Sequence, residues 1–301
     1  MIPCQFKASD IAELLDGTLM GEDQKITGLV SLDRNIYGTL SFSSDKNNVK
    51  YSGVLLSTVP LEDATTIIVG HPKAAMGKVI ESLKVEEKAF ISPLADIHPT
   101  AKIGKGVTIH SGTVIGENCH VMDKSILYSN VVLYPKTVIG KRCRIHSGAV
   151  IGSDGFAYEV VGGEPYRVSH CGGVIIEDDV EIGANSCIDQ GMLEPTRIGQ
   201  AVKIDNLVHV GHNVDIQAGT IIAAQSGISG SAKIGKGVLL GGQVGVSDHS
   251  ILDDGVQVAA KSGVHGHLIS GEKYFGIPAL PKKKAFEILR AVRHLPKWMR
   301  R

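Results

Sequence analysis

The chain is predicted to be mainly β, a parallel β-helix of hexapeptide repeats that carries a small N-terminal α/β domain and a short C-terminal helix. Three observations predict this. An apolar residue recurs at every sixth position through most of the chain, a smaller residue follows four positions later, and the pattern is absent before residue 91. The organisation read from it is a domain at 1–90, a β-helix at 91–270 and a basic helical tail at 271–301.

In the first 90 residues, "SDIAELLDG" offers Ser9 as a helix N-cap, an amphipathic turn or two, and Gly17 as a stop. The segments "KITGLV", "TLSFS", "GVLLST" and "TTIIVG" read as strands, and "HPKAAMGKVIESL" reads as a second helix. From Ile91 the sixfold register runs through Ile97, Ile103, Ile109 and Ile115 to Ile151, 11 hexads without a break. It resumes at Ile176, slips once after Ile188, and continues from Ile198 to Val264. The companion positions hold Val107, Thr113, Cys119, Ser125 and Val131. Neither the helical period of 3.6 nor plain alternation generates a period of six. Each hexad is a short strand plus a corner, three hexads close an 18-residue coil, and equivalent residues of successive coils stack about 4.8 Å apart.

Two interruptions break the stacking. Between Ile151 and Ile176 a polar, Gly-rich loop carries Phe156, Tyr158 and Tyr166, and loops ejected from a rigid solenoid are natural places for a binding site. Between Ile188 and Ile198 the spacing is ten residues, so a bulge leaves the coil at "MLEPT". In the tail, Phe286, Leu289 and Val292 fall at helical spacing in one basic amphipathic helix.

Composition narrows the function classes. The 301 residues have zero formal net charge, which argues against a nucleic-acid binder held by phosphate contacts. Residues 271–301 hold nine Lys and Arg against Glu272 and Glu287, so this tail is +7 and the remainder −7. There is no apolar run long enough to span a bilayer and no secretory leader pattern, so a cytoplasmic protein is expected. Five cysteines without a C-x-x-C pair fit reduced, buried thiols.

Stacking allows corners to be compared by number. At 18-residue steps His212 falls under Gly230, Asp248 and Gly266, and Asn213 under Ser231, His249 and His267. His212 and His249 are then two coils apart, roughly 10 Å, with Gly230 between them. An imidazole is a natural base near neutral pH, and the unshielded Gly230 N–H can serve as an oxyanion donor. Acyl transfer from a thioester needs both groups. No cofactor or metal is expected: His249 and His267 share one column, and the "HGH" at 265–267 lacks a third ligand for zinc.

The hexads resemble the hexapeptide-repeat acyltransferases, which implies a left-handed parallel β-helix and a homotrimer. The stretches "ISPLADIHPTAKIGKGVTI", "GAVIGSDGFAY", "GGVIIEDDVEIGAN", "KIDNLVHVGHN" and "YFGIPALP" resemble the UDP-3-O-acylglucosamine N-acyltransferases of lipid A biosynthesis more closely. That resemblance implies transfer of a (3-hydroxy)acyl chain from acyl carrier protein to a UDP-sugar amine. It makes His212 the general base, Gly230 the oxyanion donor and His249 an auxiliary group. It also implies substrate contacts at Asn213, Asp205 and Asn206, with Phe156 and Tyr158 on the ejected loop, and a uridine-binding role for Phe42 and Tyr51 in the N-terminal domain. Two departures stand out. The segment from Phe42 to Tyr51 is three residues longer than the family's aromatic loop, and Gln190 occupies the Arg position of the family's "IDRG". Alternatives from other classes are a sugar-nucleotide N-acetyltransferase using acetyl-CoA and a non-catalytic nucleotide-sugar-binding paralogue.

Overall fold

A computed structural model describes residues 2–43, 51–61, 64–84 and 88–298, and the chain forms two compact units, 1–87 and 88–301. The first is a six-stranded sheet of β1 (Ile2–Lys7), β2 (Thr18–Met20), β3 (Lys25–Leu29), β4 (Thr39–Phe42), β5 (Val54–Ser57) and β6 (Thr65–Ile68) in the order β1-β3-β4-β5-β6-β2. The central four strands are parallel and the two edges antiparallel. Helices α1 (Ala8–Leu15) and α2 (Pro72–Ser82) place Ile11, Ala12, Met76 and Val79 in one core with Ile26, Leu40, Val54 and Ile67. The N-cap of α1 is Lys7 and not Ser9, because the Ser9 hydroxyl is drawn to Asp23 while the Lys7 N–H donates to Asp10 Oδ2 at 2.7 Å. Gly17 does end the helix, its N–H returning to the Ala12 carbonyl at 2.8 Å.

The second unit is the β-solenoid. Its three faces are sheets of nine, nine and ten strands, parallel except for the final edge strand Leu280–Pro281. First-position residues pair coil upon coil, Leu133 with Ile151, Ile188 with Val210 and Val210 with Ile228. From Ile109 onward they are buried, as are the companion residues Cys119, Ser125, Val131 and Ala149. The fourth residue of many hexads, among them Asn130, Asn213, Ser231 and His249, turns the corner in the left-handed region.

The companion position accepts small polar residues for a physical reason. The buried Ser226 hydroxyl donates to the Gly241 carbonyl at 3.0 Å and accepts from the Val244 N–H at 3.3 Å. Ser186 and Thr220 make the same pair of bonds one coil up. A hydroxyl there satisfies two backbone groups that the strand ladder misses.

Both interruptions are present. Residues 152–173 leave the prism as an antiparallel hairpin of Tyr158–Val161 and Glu164–Arg167, and the coil resumes with Ile176 paired to Ile139. The bulge at 192–195 folds back over the next corner. A third irregularity corrects the histidine column: the last coil is two residues short, so Leu268 pairs with Leu252 and His267 with Ile251. His267 therefore does not stack on His249, and its Nε2 meets Asp253 Oδ1 at 2.8 Å. The basic helix α3 (Lys282–Trp298) packs on the second unit by burying Ala285 and by stacking Phe286 on Phe275 with centroids 5.6 Å apart. Among the described residues no helix is long and apolar enough to cross a membrane.

Ser226→Ala leaves two backbone groups unpaired inside the prism, and we predict a loss of about 1–3 kcal/mol. Urea unfolding checks this; unchanged stability would show that those groups find other partners.

Candidate active site

His212 and Asn213 sit on the corner that follows strand His209–Val210. Every polar atom of the Asn213 side chain is committed. Its Oδ1 accepts from the Met192 N–H at 3.0 Å and contacts His212 Nδ1 at 3.1 Å, and its Nδ2 donates to the Glu194 carbonyl at 3.1 Å. The Asn213 N–H donates to Thr196 Oγ1 at 2.9 Å. A backbone N–H can only donate, so Oδ1 is fixed as an acceptor and His212 must present N–H at Nδ1. In the neutral ring this leaves the lone pair on Nε2. The Asn213 amide, expected as a substrate contact, is taken up by the 192–195 bulge and by His212.

The free Nε2 faces Gly230. A Cβ at Gly230 would stand 2.7 Å from Nε2 and 2.8 Å from Cε1 of His212. The coils lock this arrangement, with Ser231 N–H to the His212 carbonyl at 2.9 Å and His249 N–H to the Gly230 carbonyl at 3.1 Å. At several other corners the amide two places after the first position is capped by a side chain, as Lys141 by Asp178, Ala184 by Asn206, Ala224 by Asp205 and Lys236 by Asp254. The Gly230 N–H has no acceptor among the described residues. His249, one coil further on, is exposed.

Three residues that the hexad pattern did not single out complete the corner. Asp189 is 5% exposed, accepts from Ser153 Oγ at 2.9 Å and lies 3.6 Å from His209 Nε2. Burial pushes its carboxyl above the usual range, against the opposing pull of His209, the Ser153 hydrogen bond, His212 and His170. His170, from the ejected segment, is 7% exposed and lies against His212 with ring centroids 4.9 Å apart. Gly155 of the same segment has no room for a side chain, since a Cβ would stand 2.7 Å from His212 Cβ and 2.9 Å from His170 Nε2.

The altered Gln190 holds that segment down. Its Nε2 donates to Asp154 Oδ1 at 2.7 Å, and the other Asp154 oxygen is taken by the Arg167 guanidinium. Gln190 and the hairpin's Arg167 thus share the Asp154 carboxylate. Phe156 and Tyr158 follow Gly155, an exposed pair with centroids 5.1 Å apart.

The remaining candidates lie elsewhere. Asp205 and Asn206 are on the preceding corner, one edge away from His212 in this chain, where they cap backbone amides. They line a cleft of about 550 Å³ with His146, Gly183 and Lys203. Phe42 and Tyr51 belong to the first unit. Phe42 is half-buried, whereas Tyr51 is 1% exposed with its hydroxyl 2.8 Å from Thr39 Oγ1. A ring so enclosed has no face for a uracil, and Tyr51 is a core residue here. Residues 44–50 of the longer loop lie outside the described residues.

Comparison with known proteins agrees with the fold. Residues 113–153 and 195–230 match the family described as bacterial transferase hexapeptide (six repeats), and residues 173–206 match the hexapeptide repeat of succinyl-transferase. A UDP-3-O-acylglucosamine N-acyltransferase of Campylobacter lari is 39% identical over 259 residues, 76% of this chain and 79% of the relative. One of Syntrophotalea carbinolica is 39% identical over 316 residues, 96% of this chain and 92% of the relative. The crystal structure of a UDP-N-acetylglucosamine O-acyltransferase from Moraxella catarrhalis superimposes with a TM-score of 0.59 at 25% identity, covering 65% of this chain and 77% of that one. With relatives at this identity over most of both chains, the protein is an acyltransferase and belongs to the UDP-3-O-acylglucosamine N-acyltransferase family.

Proposed function

We propose that the protein transfers a 3-hydroxyacyl group from acyl carrier protein to the amine of UDP-3-O-acylglucosamine, with His212 as general base. The observation that carries this reading is the His212 Nε2 lone pair, fixed by Asn213, beside the open amide of Gly230. The acceptor amine attacks the thioester carbonyl and passes its proton to His212 Nε2. The negative charge that develops on the carbonyl oxygen is held by the Gly230 N–H. Collapse of the tetrahedral adduct expels the thiolate, which takes the proton back from His212. Asp189 stabilises the imidazolium formed in between, and His249, on the same corner, is an auxiliary group at the donor side.

The wider reading assigns Phe156 and Tyr158 to the substrate groups flanking the base and Phe42 to the uracil. Lys282, Lys283, Lys284, Arg290 and Arg293, all exposed on α3, suit an acidic carrier protein. Asp205 and Asn206 are assigned to the substrate, in a homotrimer of this chain. A nucleotide sugar and a carrier protein as substrates place the reaction in the cytoplasm.

His212→Ala is expected to lower kcat by roughly 10²–10⁴-fold without unfolding the prism. Gly230→Ala is expected to abolish transfer, because the added methyl occupies the space against Nε2. Both are read by transfer of a 3-hydroxyacyl group from acyl carrier protein to the UDP-sugar; wild-type rates in either variant would remove the assigned roles.

Asp189→Asn separates stability from catalysis. The folded pKa of Asp189 lies above its unfolded value, so the folded state holds the proton more tightly and the ionised carboxylate is a cost. That cost is fully present above the folded pKa and disappears as pH falls to the unfolded value. The Asn variant should therefore melt no lower than wild type at neutral pH while kcat drops about tenfold, the equivalent of about 1.4 kcal/mol of transition-state stabilisation. A clear fall in melting temperature at neutral pH would contradict this.

A further inference from the structure

The imidazole of His170 has no use in the reaction as derived above. The backbone on both sides of it is pinned, with Val168 N–H to the Ala157 carbonyl at 3.0 Å, Cys171 N–H to the Met192 carbonyl at 2.9 Å and Gly172 N–H to the Gly191 carbonyl at 2.8 Å. The ring is 7% exposed, yet neither Nδ1 nor Nε2 finds a hydrogen-bond partner among the described residues. Buried polar groups in folded proteins are nearly always paired, and a rigidly delivered ring with two unpaired nitrogens is prepared for a partner that arrives later. Its Nε2 faces Gly155 alongside the Cβ and Cδ2 edge of His212, while the reactive Nε2 of His212 faces Gly230. The visiting group thus lies next to the reacting amine and is not the amine itself.

We propose that His170 is a specificity residue whose imidazole hydrogen-bonds a hydroxyl group of the bound substrate beside the reacting centre. A neutral imidazole offers one donor and one acceptor, and a hydroxyl can accept from the one or donate to the other, so it suits whichever ring nitrogen faces it. Carboxylate and phosphate oxygens accept only, so they could meet only the protonated nitrogen. The hydroxyl comes either from the sugar ring of the acceptor or from the acyl chain close to its thioester. The inference rests on the acyl-transfer reading for the identity of those two substrates.

Direct titration of ligand into wild type, His170→Phe and His170→Gln separates the cases, using UDP-3-O-acylglucosamine and acyl carrier protein loaded with either a 3-hydroxyacyl or an unsubstituted acyl chain. Phe keeps the planar bulk without polar atoms; Gln keeps a donor and an acceptor. The Phe variant should bind one ligand about tenfold more weakly, the equivalent of one hydrogen bond, and Gln should recover most of the loss. Weakened binding of the sugar, whatever the donor, identifies a sugar hydroxyl. Loss of the preference for the 3-hydroxyacyl donor identifies the acyl hydroxyl. Unchanged affinities in the Phe variant, or equal losses in Phe and Gln, would overturn the proposal, the second because packing alone would then account for the ring. If Phe does not fold, His170→Met supplies an apolar side chain flexible enough to fit and is judged by the same outcomes. Failure of the wild type to transfer any acyl group would count against the acyl-transfer reading, and the affinities would still decide the role of His170.

Discussion

The parallel ladder between coils is the constraint on which the rest of the structure depends. The coil strands are only two to four residues long, so no face could hold its shape alone. Register comes from stacking, in which a backbone N–H of one coil meets a carbonyl of the next at 18-residue intervals. Once the first-position residues must fill a narrow interior, every corner residue is fixed in direction and height. Chemistry can then be placed by changing corner side chains without disturbing the core.

The site depends on this rigidity and on two local departures from it. The 192–195 bulge spends its backbone N–H and carbonyl groups on Asn213, and Asn213 in turn fixes the tautomer of His212. The ejected segment returns over the same corner, tied by Gln190, Asp154 and Arg167, and brings Gly155 and His170 onto His212. The coil supplies position and the insertions supply polarity and enclosure. A glycine on each side of His212, Gly155 and Gly230, keeps that enclosure from filling with side chains.

Much of this was legible in the sequence, for reasons that also explain the omissions. A strict period of six predicts the solenoid, the shared corner of His212, Gly230 and His249, and the burial of residues such as Ser125 and Cys143, because register follows from counting. Counting fails wherever residues are gained or lost. His267 slipped from its column when the last coil shortened by two residues. Asp189 is buried because Ser153, at the root of the ejected segment, shifts the pairing beside it and covers a position that otherwise faces solvent. His170 lies inside that segment, where no period operates. Asn213 was visible as a corner residue, but its role depends on how the bulge folds back. Tyr51 was expected to bind uridine, and its pairing with Thr39 is a tertiary contact that no local pattern reveals.

The central claim is that Asn213 holds the neutral His212 ring with its proton on Nδ1, leaving Nε2 free toward Gly230. Neutron diffraction from a deuterated crystal near neutral pH tests this directly. The account predicts a deuteron on Nδ1, between the ring and Asn213 Oδ1, and none on Nε2. A deuteron on Nε2 with a bare Nδ1 would contradict it, because the ring would then have no lone pair to offer a substrate amine at the Gly230 corner.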